Sequence, residues 1–312
     1  MLDLVIAGPD MSGTSTQIND LISFFQNQNK KVRDLRGTEI DALWQAEVFR
    51  NLNEDHLSLK DCLEDEAVPR FIKDDFLKKA VDLLVSGNTN GDLKIASCNR
   101  NEVSTYINPD SAEVWIMEEP SKRGSGQVCR TIEQHRSKHG SELDPVSAAH
   151  THSVYRLDEF LRFRRVFREQ GKVIIRSRSE ESGCYQVQDN EFWPQGIPLE
   201  DYLNLPGHKI AFGHPPTHIF VVCASEDWTR EQYLELKSAR SGGRLIDDHE
   251  ALADYQVMVN RRYASDWLEN FYEHGCKPHG STPPKIFRFN IYDSKEEIRK
   301  QMENTVMALI MP

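Results

Sequence analysis

The apolar run Leu2–Ala7 passes directly into Gly8-Pro9-Asp10-Met11-Ser12-Gly13-Thr14-Ser15-Thr16-Gln17 and then into a repeat of Ile18, Leu21, Ile22, Phe24 and Phe25. A short apolar run predicts a buried strand, and spacings of three and four predict one face of a helix. The glycine-rich stretch between them has to turn tightly. Strand, glycine loop and helix in that order have the spacing of a phosphate-binding loop: glycine, four residues, glycine, lysine, then Ser or Thr. Gly8, Gly13 and Ser15 are in place, but Thr14 stands where the lysine belongs. Glycines let the backbone wrap closely enough for several N–H groups to face a polyphosphate, and the helix behind adds its positive end. Gly8, Ser12, Gly13, Thr14, Ser15 and Thr16 would then hold ATP, with the Ser15 hydroxyl as a ligand to Mg²⁺. Thr14 brings a hydrogen bond and no charge, so a cation must come from elsewhere or ATP turnover is weak. The competing reading is a plain Gly/Ser turn with a hydroxyl cap ahead of a helix.

Bulk charge sharpens the question of where that cation lies. The 312 residues carry a formal net charge of −11, so the overall field repels nucleic acid and anionic membranes, and any phosphate needs a local cluster of donors. Hydrophobic residues make up 38% and charged residues 28%, the mix of a globular chain with a real core. Six scattered cysteines without close pairs predict reduced, buried thiols. The opening apolar run is far shorter than the roughly 18 residues a membrane span needs, which predicts a cytoplasmic protein.

Further short apolar runs at Glu113–Met117, Lys172–Ile175 and His218–Cys223, and one at Phe287–Ile291, are strand candidates. Continuous runs of this kind suit a parallel sheet covered on both faces. Helical patterns fall between them, notably Val154–Gln170, and Lys295–Leu309 predicts a terminal amphipathic helix. The expected fold is therefore α/β, a three-layer α/β/α domain over residues 1–312 with a parallel sheet of about five strands. Residues from about 30 to 110 look like an insertion, in which Pro69–Leu84 predicts a helix and Leu93–Ala96 a strand. His135 and His139, with His150 and His152, are a weak metal signal, having no acidic or cysteine partner specified.

The motifs taken in order resemble the thymidylate kinases, within the P-loop nucleoside monophosphate kinases. Asp10, Thr16 and Gln17 match the family's first loop. Glu118-Glu119-Pro120, with Gly126 and Arg130 beyond, is similar to its Arg-Glu-Pro segment. Gly171-Lys172 with Val173–Ile175, then Ser182-Gly183-Cys184-Tyr185-Gln186, is similar to its third-strand region. Ser238–Glu250 resembles its arginine-bearing lid, here about 236–250. The resemblance covers about two thirds of the chain and departs at Thr14, at Glu118 and at Arg176-Ser177-Arg178, which lie on the family's Asp-Arg-Tyr.

What the resemblance implies is ATP-dependent phosphorylation of a deoxynucleoside monophosphate, dTMP or a related pyrimidine nucleotide, with Mg²⁺ and a homodimeric assembly. Asp10 would face the acceptor's sugar hydroxyl. Lys122, Arg123 and Arg178 would meet the acceptor phosphate, and Arg156, Tyr185 and Gln186 its sugar and base. Arg176 is the expected substitute for the missing lysine, and Arg240 and Arg244 would close over the triphosphate. Glu119 is a candidate metal ligand beside Ser15. Bland readings compete at each: Tyr185 as core packing, Lys122, Arg123, Arg240 and Arg244 as surface charge, and Arg162, Arg164, Arg165 and Arg168 as a solvated helix face. The alternative for the whole chain is a nucleotide-binding subunit that keeps the fold without the chemistry.

Overall fold

The computed structural model describes residues 1–36, 109–121, 125, 126, 129, 145–188, 192, 194–240 and 253–310. Its strands are β1 (Asp3–Ala7), β2 (Val32–Asp34), β3 (Val114–Glu118), β4 (Val173–Ser177), β5 (His218–Cys223) and β6 (Lys285–Asn290). They form one six-stranded sheet in the order β2-β3-β4-β1-β5-β6, with every pairing parallel. The expected five strands become six because Val32–Asp34 pairs with β3 at the sheet edge, Val32 opposite Val114. The stretch from about 30 thus begins as part of the main sheet. The helix expected at Pro69–Leu84 and the strand expected at Leu93–Ala96 lie outside the described residues.

Side chains alternate across each strand, and the sheet is covered on both faces. Leu4 and Ile6 of β1, Val114 and Ile116 of β3, Ile175 of β4 and Phe220 and Val222 of β5 share one core. Against that face pack α1 (Thr14–Asn27), through Ile18 and Leu21, and a terminal helix at Lys295–Ile310, through Ile298, Met302 and Val306. Val5, Ala7, Ile219, Val221 and Cys223 point the other way. Trp115, Met117 and Ile174 share that second face under Phe163 and Phe167.

The helices covering the second face come mainly from the middle of the chain. An α-helix, α2 (Pro145–Glu159), runs through a π turn at Phe160–Arg164 into α3 (Arg165–Glu169). It starts nine residues before the Val154 expected from periodicity. After β4 come α4 (Glu180–Val187), α5 (Leu199–Asn204) and α6 (Pro206–Gly213). The remaining helices are α7 (Arg230–Arg240), α8 (Ala253–Ala264), α9 (Trp267–Cys276) and α10 (Lys295–Ile310). The start of α10 is set by a capping box: Glu297 N–H donates to Ser294 Oγ at 3.2 Å, and Ser294 N–H to Glu297 Oε2 at 2.9 Å.

The strand order has a consequence for function. From β1 the chain crosses to the β2 edge and returns to β4, then continues on the opposite side of β1 through β5 and β6. The order reverses beside β1, and in open parallel sheets ligands bind outside the carboxyl ends of the strands at such a switch point. The residues placed there are the glycine loop after β1 and Arg178-Ser179 after β4.

Candidate functional site

The loop between β1 and α1 closes by a turn in which Ser12 N–H donates to Pro9 O at 3.1 Å. Met11 and Gly13 adopt positive φ values of 69° and 79°, and Gly8 sits at 154°. A Cβ at Gly8 would collide with the Val222 carbonyl oxygen and the Ser12 side chain, so β5 approaches the loop too closely for any other residue. Gly13 is the N-cap of α1 and offers no side chain to its first turn. The first helical bond is made by Gln17 N–H to Gly13 O at 3.0 Å, so the N–H groups of Thr14, Ser15 and Thr16 have no acceptor within the helix. Donors left open at the positive end of a 14-residue helix are an anion site in waiting.

A cleft of about 490 Å³ opens over these groups, in the range of small-molecule sites. Its walls are residues 8–17 together with Arg178, Ala239, Arg240, Lys295 and Ile298. Gly8, Asp10, Ser12, Gly13, Thr14, Ser15 and Thr16, all expected at the site, are thereby gathered in one place. Gln17, 2% exposed, also belongs to the wall, and its side-chain oxygen has no hydrogen-bond partner.

Asp10 is held at both carboxylate oxygens. Arg178 Nη2 donates to Oδ1 at 3.1 Å, and Gln256 Nε2 donates to Oδ2 at 2.7 Å, while Asp10 N–H returns a bond to Gln256 Oε1 at 3.1 Å. Helix α8 thus steadies the loop from across the site. Arg178 itself takes φ of 67°, a left-handed conformation uncommon outside glycine, and its N–H is held by Ile6 O at 3.0 Å. Arg240, the last residue of α7, donates from Nη1 to Met11 O at 2.8 Å and from Nη2 to Ile291 O at 2.7 Å. It ties the glycine loop to the end of β6. Burial lowers its pKa from the ordinary guanidinium value.

Three expected site residues turn inward instead. Arg176 shares a face of β4 with Ile174, opposite Val5 and Met117 in the sheet, and is 4% exposed. Its Nε lies 3.3 Å from Asp3 Oδ1 and its Nη1 3.3 Å from Glu119 Oε2, with Glu180 Oε1 at 3.9 Å. Arg176 is therefore not a wall of the cleft and does not replace the loop lysine. Glu119 accepts from Arg156 Nε as well as from Arg176, so its carboxylate is shared by two guanidinium groups and lies away from the cleft of Ser15. Arg156, 4% exposed, also donates to Tyr202 OH at 2.8 Å, to His208 Nε2, and to Ser179 O at 3.3 Å. It anchors α2 to α4, α5 and α6 rather than meeting a base.

The same network overturns the solvated-face reading of Arg164 and Arg168. The two are four residues apart and so share a helix face. Arg164 Nε lies 2.9 Å and Arg168 Nη1 2.7 Å from Asp3 Oδ2. Asp3 is fully buried, and although burial pushes its pKa up, Arg164, Arg176 and Arg168 together bring it down to about 2. His208 accepts from Arg156 at Nε2, so its proton is on Nδ1 and is donated to Tyr202 O at 2.6 Å. Burial and the Arg156 charge keep this ring neutral, with a pKa well below the usual histidine value.

Glu180 and Glu181, adjacent and both buried, divide one charge. Burial works against both ions; Arg176, Arg164 and Arg156 reverse it at Glu180, bringing that group down to about 2. Glu181 lacks such partners, and burial together with Glu180 pushes it up to about 7. Its carboxyl is bonded by Tyr272 OH at 2.9 Å and Tyr263 OH at 3.5 Å. Tyr185 packs edge-on against Tyr255 and Tyr263 and is 5% exposed, with its hydroxyl 3.2 Å from Ser182 Oγ. Core packing is the geometry it has.

Gln186 lies on α4. Lys122, Arg123, Arg130 and Arg244, and with Arg244 the lid beyond Arg240, lie outside the described residues. Lys295 was missed from sequence, having no motif around it; only the fold brings it 280 residues along the chain to the loop. Gln256 was missed for the same reason. Among the described residues no group of three or more His, Cys, Asp or Glu is placed to hold a metal ion, and His152 Nδ1 lies 3.4 Å from Cys129 Sγ. Among them also, no helix is long and apolar enough to cross a membrane. No protein-family model matches the chain, and no curated protein matches it.

Proposed function

We propose that this chain is a P-loop nucleoside monophosphate kinase of the thymidylate kinase type, transferring a phosphoryl group from ATP to dTMP or a related pyrimidine deoxynucleotide. The observation that carries the reading is the cleft built on the glycine loop at the sheet's switch point, with the first N–H groups of α1 open toward it. Phosphoryl transfer needs alignment and charge neutralisation more than covalent chemistry, and the cleft offers both kinds of group. The triphosphate lies along the loop backbone. Mg²⁺ enters with ATP as part of the substrate and reaches the protein through the exposed Ser15 hydroxyl; a magnesium ion carried by phosphates and water needs few protein ligands. Arg178 and Asp10 face the acceptor, Arg240 braces the loop beneath the triphosphate through Met11 O and Ile291 O, and Arg244 has, by resemblance alone, the role of closing over the transferring group. The reading includes a cytoplasmic site of action and, by resemblance, a homodimer, which light scattering of the purified protein would test.

A second reading has its own support. Arg156, Arg176 and Glu119, three positions assigned by resemblance to substrate or metal, are spent in buried ion pairs. A chain that binds nucleotide and transfers nothing, a subunit that keeps the fold, would be expected to drift in this direction. The deciding experiment is an assay of ADP formation from Mg·ATP across a panel of nucleoside monophosphates. Turnover with a pyrimidine deoxynucleotide supports the kinase. ATP binding without turnover on any acceptor moves the chain to the second reading.

A further inference from the structure

We propose that Lys295, at the first position of α10, supplies the positive charge that Thr14 leaves missing, and pairs with the phosphates of a polyphosphate ligand in the cleft. The inference rests on the reading of the loop as a phosphate site and names a residue that acts in it.

Three described cations line the cleft, and two are already engaged. Arg178 is paired with Asp10 at 3.1 Å, so most of its charge is answered within the site. Arg240 has one nitrogen on Met11 O and the other on Ile291 O, which makes it a brace for the loop. Lys295 is exposed, lies in the wall beside Ile298, and is carried on a helix whose buried residues Ile298, Met302 and Val306 lock it against α1. Its base is therefore fixed while its ammonium reaches on a flexible stem, the arrangement that suits a compact charge following phosphate oxygens.

Position adds a second argument. The first turn of a helix disfavours a cation, because the peptide dipoles place positive charge there. The other two charged residues of that turn, Glu296 and Glu297, follow the rule, and Lys295 breaks it. Within the fold its charge is answered only in part, by the Asp20 carboxylate of α1, whose pKa burial raises and Lys295 helps to lower. The open N–H groups of α1 mark the same cleft as a place for an anion. The N-terminus of α1 and the Lys295 ammonium then converge on one anion.

The test measures binding of tripolyphosphate and of Mg·ATP by calorimetry to the full chain and to Lys295→Gln, Lys295→Arg and the double variant Thr14→Lys/Lys295→Gln. Lys295→Gln is expected to weaken tripolyphosphate about tenfold and to flatten the salt dependence of its affinity. Lys295→Arg should keep most of the affinity. The double variant should recover it, because the lysine returns to the loop itself. If wild type binds and Lys295→Gln binds equally well with the same salt dependence, the assignment of Lys295 is overturned while the loop keeps its role. If wild type binds neither ligand, both fall together.

Discussion

Replacing Arg176 by methionine separates a core residue from a substrate residue. Methionine fills similar length without charge, so the change removes the guanidinium and little volume. It takes a partner from Asp3 at 3.3 Å, from Glu119 at 3.3 Å and from Glu180 at 3.9 Å, in a part of the sheet where these groups are almost wholly out of water. Removing one side of a buried pair costs roughly 3–5 kcal/mol, because the remaining charge keeps its desolvation penalty. Each carboxylate retains another arginine: Arg164 and Arg168 at Asp3, Arg156 at Glu119, Arg164 at Glu180. That redundancy points to the lower end, about 3 kcal/mol, or a fall in Tm of about 5 °C for a chain of this size. Urea unfolding gives the first number and calorimetry of ATP binding the control. The reasoning predicts a clear loss of stability with nucleotide affinity unchanged in the folded fraction. Unchanged stability together with lost affinity would refute it and return Arg176 to the phosphates.

Glu181 and Asp3 set opposite ends of the stability profile. With its pKa raised from 4.5 to about 7, Glu181 holds a proton in the folded state that the unfolded chain has lost, so stability is full below 4.5 and declines as pH rises through 7. Glu181→Gln cannot ionise, and relative to wild type it should gain about 3 kcal/mol between pH 5 and pH 8 in urea titrations; parallel profiles would count against the shift. Asp3, lowered from 3.8 to about 2, works the other way: its contribution of about 2 kcal/mol is present above 3.8 and lost as pH falls through 2. Asp3→Asn should therefore flatten the acid limb of the same profile. Gly8→Ala should cost more than about 2 kcal/mol and abolish polyphosphate binding, since its Cβ meets the Val222 carbonyl; a folded variant with wild-type affinity would mean the loop is not held as described.

The parts of the fold legible in the sequence are those encoded locally. Leu2–Ala7, the two glycines and the repeat from Ile18 to Phe25 together predict β1, the loop and α1, because burial, tight turning and one-sided packing each leave a short-range signature. The runs at Val173 and His218 are legible for the same reason. Val32–Asp34 is not: an edge strand of three residues, none of them fully buried, carries no apolar run to detect. The arginines misled for a different cause. Arg164 and Arg168 find their carboxylate at Asp3, 161 and 165 residues away, and no local pattern separates such a face from a solvated one. One hint was present. Asp3 stands inside an apolar strand, on the same side as Val5, and a charge there demands a buried partner. Arg176, placed directly after Ile174-Ile175, is the matching half of that demand. For Lys295 the only local sign was a cation in a helix's first turn.

The central claim is that backbone N–H groups of the opening glycine loop grip a polyphosphate without a lysine of their own. Calorimetric titration of the full chain with Mg·ATP, repeated with Gly8→Ala, measures this directly. The account predicts saturable one-to-one binding, with a Kd on the order of 1 mM or tighter, that disappears in the folded variant. Absence of saturable heat with wild type, or equal binding by both proteins, would contradict it.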